Sequence, residues 1–599
     1  LPISHNPLVP PYRLNINNMT MKDNIVTPNS MNPNVYIAFL TQNADLLIQN
    51  SYFSNNFWNA MTLFGDSVHS ANIYLINNMF KMETLNYSTF ISTELTIEFD
   101  DSQSIVLYRL LFLKNNLFEG IEFSYEEDEY SASGSFIYSQ TALLIMTGNI
   151  FKDFSMSLSF SSTFLATTSL NSYRIAGYQT RDHSIETILY SNIPVIPTIN
   201  QLFDTYFAQA MDTPGYPNII SNNTFFSITN TRSQPLFYLP SNNDGTGSFF
   251  IENNLIYNAS WQTCLIDEAA GIIQLGTYTK SVVTNNVFFQ NKACFVFYLP
   301  SYSGTLVENN TILETIGDKL AWIDASPVQP VKLNVKSTAI VNCLAANSLM
   351  ELTGTNFSEV EVSSNIFAIT IIRYTFEVSH TLKTARGFNF AFTAEGESLN
   401  VLFLNNQFAY ISMDSKLPNF QYYTPQADSL IFIEVIGVSH LHLKNLSIVE
   451  FVSSAYGSTG MILSSNEIFL SEFYMKGVTI TEGAQAIINL NTNNFTLMDS
   501  TIIAKELKSY FAANYIFSYQ FIKYDLPFTS QLFMSNIQLN GSEDLITEAH
   551  TRFFQINVEA INMTVLNSSF LMTLESAFNV VFGLPSTFYF NRILNTDQS

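Results

Sequence analysis

Three phrases decide the fold: Phe250-Ile251-Glu252-Asn253-Asn254-Leu255, Val282-Val283-Thr284-Asn285-Asn286-Val287 and Leu306-Val307-Glu308-Asn309-Asn310-Thr311. Each is an apolar, strand-forming run, an Asn pair, and a return to apolar residues. The pair recurs at Asn55-Asn56-Phe57, Asn77-Asn78-Met79-Phe80, Asn115-Asn116-Leu117-Phe118, Asn222-Asn223-Thr224-Phe225 and Asn405-Asn406-Gln407-Phe408. Single-Asn forms stand at Asn149-Ile150-Phe151, Asn365-Ile366-Phe367, Asn536-Ile537 and Asn567-Ser568-Ser569-Phe570. Copies fall roughly every 22 to 40 residues, the range of solenoid repeats. About ten residues after each central phrase comes a second strand-length run: Cys264-Leu265-Ile266, Cys294-Phe295-Val296 and Ala321-Trp322-Ile323. A third element, Phe237-Tyr238-Leu239-Pro240-Ser241, returns 60 residues later as Phe297-Tyr298-Leu299-Pro300-Ser301, which is two rungs.

These runs predict an all-β chain: a single right-handed parallel β-helix solenoid with Asn-rich turns and several long loop excursions. Each coil supplies two or three short strands, and each strand pairs with its equivalent one coil later. Asn tolerates left-handed backbone angles at a bend, and stacked Asn amides can bond to one another as a ladder. The right hand follows from the crossover preference of parallel strands. Residues 1–40 read as an extended N-terminal arm, because Pro7, Pro10, Pro11, Pro28 and Pro33 punctuate them. Residues 41–599 read as the solenoid, interrupted near 155–217, 371–400, 413–428 and 505–530. Within the first interruption, 201–211 reads as a short helix capped near Thr198.

Composition agrees. The 599 residues are 47% hydrophobic and 14% aromatic but only 12% charged, which excludes a disordered chain. Polarity comes instead from Asn, Ser and Thr. The net charge of −24 argues against nucleic acid as a partner. No apolar stretch approaches the roughly 20 residues that cross a bilayer as a helix. The best, 430–438 and 577–584, are strand-sized, so no membrane insertion by these residues is expected.

The Asn-Asn-x-Phe phrases between strands resemble the right-handed parallel β-helix proteins of the pectin-lyase-like superfamily. In particular they resemble large cell-surface β-helix proteins of AT-rich protists. That resemblance covers most of residues 40–599 and implies architecture rather than activity. The polygalacturonase-like pattern needs an Asn-Thr-Asp, an Asp pair, a Gly-His-Gly and an Arg-Ile-Lys. Here the Asn-Thr-Asp is Asn595-Thr596-Asp597, the Asp pair is Asp100-Asp101, and the other two motifs do not occur. No catalytic residue is therefore assigned.

Two smaller constellations remain. Glu126-Glu127-Asp128-Glu129, near Glu119 and Glu122, offers oxygen ligands for Ca²⁺ but lacks the spacing of a dedicated loop, so a solvated acidic turn is preferred. His440 and His442 flank Leu441 and should share one face, with neither Cys nor carboxylate beside them in sequence; two ligands make no metal site. Metal and cofactor are both expected to be absent.

Eleven glycosylation sequons occur, at Asn18, Asn86, Asn222, Asn258, Asn309, Asn356, Asn445, Asn494, Asn540, Asn562 and Asn567. Chance alone would place about that many in a chain this rich in Asn, Ser and Thr, so they are no evidence of secretion. If the chain is secreted, N-linked glycans are expected, with Asn222 and Asn309 facing outward and their Asn partners packed at the bend. Cys264 and Cys294 occupy equivalent places in consecutive repeats. Strands about 4.8 Å apart bring such equivalents within disulfide reach, so a Cys264–Cys294 bond is expected, with Cys343 a lone buried thiol.

The expected function is a non-enzymatic structural or adhesive protein, secreted to an extracellular or cell-surface location. Its expected partners are copies of itself, joined end to end or through the arm, and possibly glycans. A secreted polysaccharide lyase or hydrolase, or a glycan-binding protein on the same fold, is the alternative.

Overall fold

A computed structural model describes residues 12–24, 37–42, 44–65, 73–86, 89–95, 109–124, 135–139, 142–156, 163–167, 217–230, 235–239, 248–261, 271–275, 280–299, 305–325, 330–373, 386–394, 398–414, 429–454, 458–483, 486–509, 514–520, 530–541, 551–557, 561–572, 578–580 and 587–595. Among them the regular structure is all strand, and the strands pair in parallel with equivalents one coil away. The chain is an all-β parallel solenoid. It divides into two compact units, residues 1–287 with 299–301, and residues 288–298 with 302–599.

A coil has two bends and three main strands, and in the first unit a further short strand such as Glu122–Ser124, paired with Thr84–Asn86, follows the second bend. In the first unit, Arg109–Lys114 is a first strand, lying between Ile73–Ile76 and Ala142–Thr147. The three-residue second strand Leu117–Glu119 lies between Met79–Lys81 and the start of Ile150–Met156. The third strand, Ser135–Ser139, lies between Thr89–Leu95 and Thr163–Thr167. Parallel strands covered on their inner face read as apolar runs, and Leu111, Phe112 and Leu113 are buried here.

The Asn pair builds the first bend by dividing two tasks. Asn50, Asn77, Asn115, Asn222, Asn253 and Asn285 take left-handed angles, φ 51° to 55°, and face solvent. The short polar side chain of Asn makes that conformation less costly than in other non-glycine residues. The residue after each points inward: Ser51, Asn78, Asn116, Asn223, Asn254 and Asn286, and likewise Asn149 after the left-handed Gly148, are at most 2% exposed. The Asn amides bond along the axis. Asn149 Oδ1 accepts from Asn116 N at 3.0 Å and from Asn116 Nδ2 at 2.9 Å, while Asn149 Nδ2 donates to Leu113 O at 2.9 Å. The same triple links Asn78 to Asn116, Asn149 to Asn223, Asn223 to Asn254 and Asn254 to Asn286. A buried amide is tolerated only when bonded, and here the next coil bonds it. Between Asn149 and Asn223 the chain runs 74 residues, yet the link holds.

Beneath the amides the Phe of the repeat stacks. Phe53, Phe80, Phe118, Phe151 and Phe225 lie with ring centroids 4.6, 4.9, 5.1 and 4.9 Å apart and planes within 10° of parallel. The coil spacing sets that distance, and burial of each ring supplies the main driving force.

The second unit uses the same bends with other residues inside. Thr338 N donates to Asn365 Oδ1 and Asn365 bonds Asn406, but the next inward residues are Leu446, Phe473, Ser500, Ile537 and Ser568. The Ser hydroxyls accept single backbone bonds, from Phe473 N to Ser500 Oγ at 3.2 Å and from Ile537 N to Ser568 Oγ at 3.3 Å.

Several boundaries move. Tyr12–Asn17 and Thr20–Lys22, placed in the arm by their prolines, pair with Ala44–Gln49 and Tyr52–Ser54 as strands of a coil. Each expected excursion also contains solenoid strand: Thr163–Thr167 in the first, Arg386–Thr393 in the second, Met413 and Asp414 in the third, and Asn514–Gln520 in the fourth. Third strands carry no Asn marker, so counting Asn pairs mistook them for loops. The segment proposed as a helix, 201–211, lies outside the described residues. Asn55-Asn56 is a second bend, not a first: Asn55 follows the left-handed Asn50 by five places, and Asn56 bonds Asn24 and Glu83.

Candidate functional site

The most elaborate cluster of side chains among the described residues lies on the outer face of third strands in the second unit. Register aligns Tyr298, Trp322, Glu351, Asn389 and Phe432 in one row across successive coils. Tyr298 and Trp322 stack with centroids 4.1 Å apart and planes 27° apart. The Lys319 ammonium sits 4.0 Å from the Trp322 ring centroid and 2.8 Å from Glu351 Oε1. Two coils on, the Arg386 guanidinium lies 3.4 Å from the Phe432 centroid and donates from Nη1 to Asn389 Oδ1 at 2.8 Å. Lys319 and Glu351 are mostly covered, so their pairing offsets a desolvation cost that an exposed pair would not have. Burial raises the Tyr298 phenol above its usual pKa, and the Asp324 carboxylate adds to this. An aromatic platform edged by cations suits a ring-shaped polar ligand, but both cations already lie on rings of the protein.

Several other outer charges are also joined from coil to coil. Glu119 accepts from Lys81 at 3.0 Å and Lys152 at 2.7 Å, and these bonds hold its carboxyl below the usual range despite some burial. Lys332 pairs with Glu359, Lys336 with Glu361 at 2.9 Å, and Lys444 with Glu472 at 3.4 Å. Glu119, weighed as an oxygen ligand, is thus neutralised by two ammonium groups. Glu122 faces solvent, and Glu126, Glu127, Asp128 and Glu129 lie outside the described residues.

His440 and His442 do share the outer face, with Leu441 buried between them. A carboxylate does lie beside them: pairing places Glu467 next to His440, its Oε2 2.8 Å from Nδ1. Sequence proximity could not show this, because the partner comes from the next coil. Burial, and secondarily the nearby His440, lowers the His442 pKa. Among the described residues no group of three His, Cys, Asp or Glu is arranged to hold a metal.

Cys264 lies outside the described residues, and Cys294 is buried. The expected Cys264–Cys294 bond therefore falls outside what the structure describes. In that coil the strand pairing with Phe237–Leu239 is Gly271–Leu275, several residues past Leu265-Ile266. Cys343 is a free buried thiol at the inward place of a second bend, its Sγ 3.3 Å from Val341 O. Burial pushes its pKa up to about 11, which keeps it protonated and unreactive.

The sequons fall into an order that the sequence alone did not reveal. Asn18, Asn222, Asn258, Asn309, Asn445 and Asn567 are left-handed bend residues exposed to solvent. The partners Asn223 and Asn310 are 1% and 0% exposed. A left-handed Asn, an inward residue and an outward Ser or Thr opening the next strand spell the sequon, so the coil itself generates these motifs. Asn356 is left-handed and half-buried, and Asn494 lies half-buried in a strand. Asn86, Asn540 and Asn562 lie on strands.

No helix among the described residues is long and apolar enough to cross a membrane. No protein-family model matches the chain, and no curated protein matches its sequence.

Proposed function

We propose that the chain is a non-enzymatic structural or adhesive protein, a right-handed β-helical rod of the pectin-lyase-like kind, secreted to a cell surface or an extracellular filament. One observation carries this reading: amides, rings and charges alike are used along the axis, joining each coil to the next. The outer charged groups bridge neighbouring coils, as Glu119 does between Lys81 and Lys152, where a hydrolase would converge its acids on one groove. Self-association end to end has its natural site at a terminal coil. N-linked glycans would sit on the solvent-facing bend residues.

Electron microscopy of the native material tests the reading. Rods or filaments whose repeat matches the chain support it; dispersed single molecules that cleave polysaccharide would contradict it. The stacked pair Tyr298 and Trp322 favours a second reading, glycan binding on the third-strand face. A glycan array on which Trp322→Ala binds as the unaltered chain does would remove that reading.

A further inference from the structure

One second bend of the first unit holds a carboxyl group where the two coils before it hold amides and the coil after it holds Ile121. Successive second bends carry Asn24, Asn56, Glu83 and Ile121 after the left-handed residue; Asn24 is exposed, and Glu83 is 0% exposed. The amide at this bend works as at the first. Asn56 Oδ1 accepts from Asn24 Nδ2 at 2.8 Å, and Asn56 Nδ2 donates to Met21 O at 3.1 Å and to Glu83 Oε1 at 3.2 Å. Glu83 Oε2 accepts from Trp58 Nε1. An inward Asn therefore both accepts from one neighbour and donates to a carbonyl one coil back. Met21 is in register with Phe53, so the carbonyl equivalent for Glu83 is that of Phe53. A carboxylate has no proton to give it; a carboxylic acid has one.

We propose that Glu83 is a proton-operated latch of the first unit: protonated, it completes the second-bend ladder as an Asn would, and losing its proton loosens the coils around Trp58. Among the described residues the surroundings supply no compensating cation. Trp58, also 0% exposed, is packed edge-on against Phe53, Phe80 and Phe90. The charged groups on the elements packed against Glu83 are Lys22, Asp23, Lys81, Glu119 and Glu122, all on the outer face, with Lys81 bonded to Glu119. Burial raises the Glu83 pKa from 4.5 to about 7, against the opposing effect of the bonds from Trp58 and Asn56. The raised value means that the folded chain holds a proton which the unfolded chain releases. The stabilisation is complete below pH 4.5 and is lost as pH rises from there through about 7. Over that window the folding equilibrium weakens by up to about 300-fold from this group alone.

The test compares the full chain with Glu83→Gln, whose amide both accepts and donates at every pH. Denaturant unfolding of the first unit is followed at pH 5 and pH 8. The expected result is that the variant gains on the unaltered chain by about 70-fold on going from pH 5 to pH 8. A ratio unchanged within about twofold overturns the proposal. Should Glu83→Gln fail to fold, the Trp58 fluorescence of a Trp261→Phe, Trp322→Phe chain decides: a titration centred near pH 7 supports the latch, and a flat profile from pH 5.5 to 8.5 overturns it.

Discussion

The first-unit ladder from Asn78 to Asn286 and the second-unit bends from Leu446 to Ser568 solve one problem in two ways. Both place a left-handed residue outside and turn the chain between parallel strands. In the first unit the inward residue is an amide that takes two bonds from the coil before and returns one. In the second, after Asn406, it is Leu446, then Phe473, then Ser500, and hydroxyls accept only the backbone N–H. The outer, left-handed position is constant because backbone geometry requires it. The inner position is free to be polar or apolar, provided that each buried donor and acceptor finds a partner. An unbroken amide run therefore makes each rung depend on the next, whereas an apolar rung depends only on filling its space.

Five substitutions at four positions test that difference. Asn149→Leu removes the acceptor of Asn116 N and Asn116 Nδ2 and the donor to Leu113 O, and at about 1 to 3 kcal/mol per orphaned group it should cost about 5 kcal/mol in denaturant unfolding of the first unit. Phe118→Ala opens a gap in the ring stack and should cost about 4 kcal/mol by the same measurement. Leu446→Ala should cost about 3 kcal/mol, whereas Leu446→Asn should cost about 1 kcal/mol less, because its amide extends the ladder from Asn406. An Asn more harmful than Ala at this place would show that the two bend types are not interchangeable. Ile369→Asn should stabilise the second unit by about 1 kcal/mol, seen as a raised melting temperature: Ile369 holds φ at 50° and is 58% exposed, so strain is relieved and little packing lost.

The repeat was legible because one residue type marks one backbone conformation. Aligned by their Asn pairs, Phe250, Ile251 and Glu252 match Val282, Val283 and Thr284, and the strands pair in that register. The second bend was not legible by residue type: Met82, Gly120, Asp153 and Ser227 all hold positive φ there. The signal was spacing. Left-handed residues come five apart, at 77 and 82, 115 and 120, 222 and 227, and 253 and 258. Counting five places on from each Asn would have found the second bend and moved Asn55-Asn56 into it. The outer row of Tyr298, Trp322 and Glu351 escaped because no shared residue type marks it, so only pairing shows that these side chains are neighbours. The same holds for Glu467 beside His440.

The central claim is that the inward amide of one coil closes the bend of the coil before it. Hydrogen exchange at the backbone N–H of Asn116, compared between the unaltered chain and Asn149→Leu, tests it most directly, since that N–H donates to Asn149 Oδ1. Exchange at Asn116 should quicken by about tenfold or more, while the N–H of Tyr474, held by Leu446 O in the second unit, keeps its rate. Unchanged exchange at Asn116 would contradict the account.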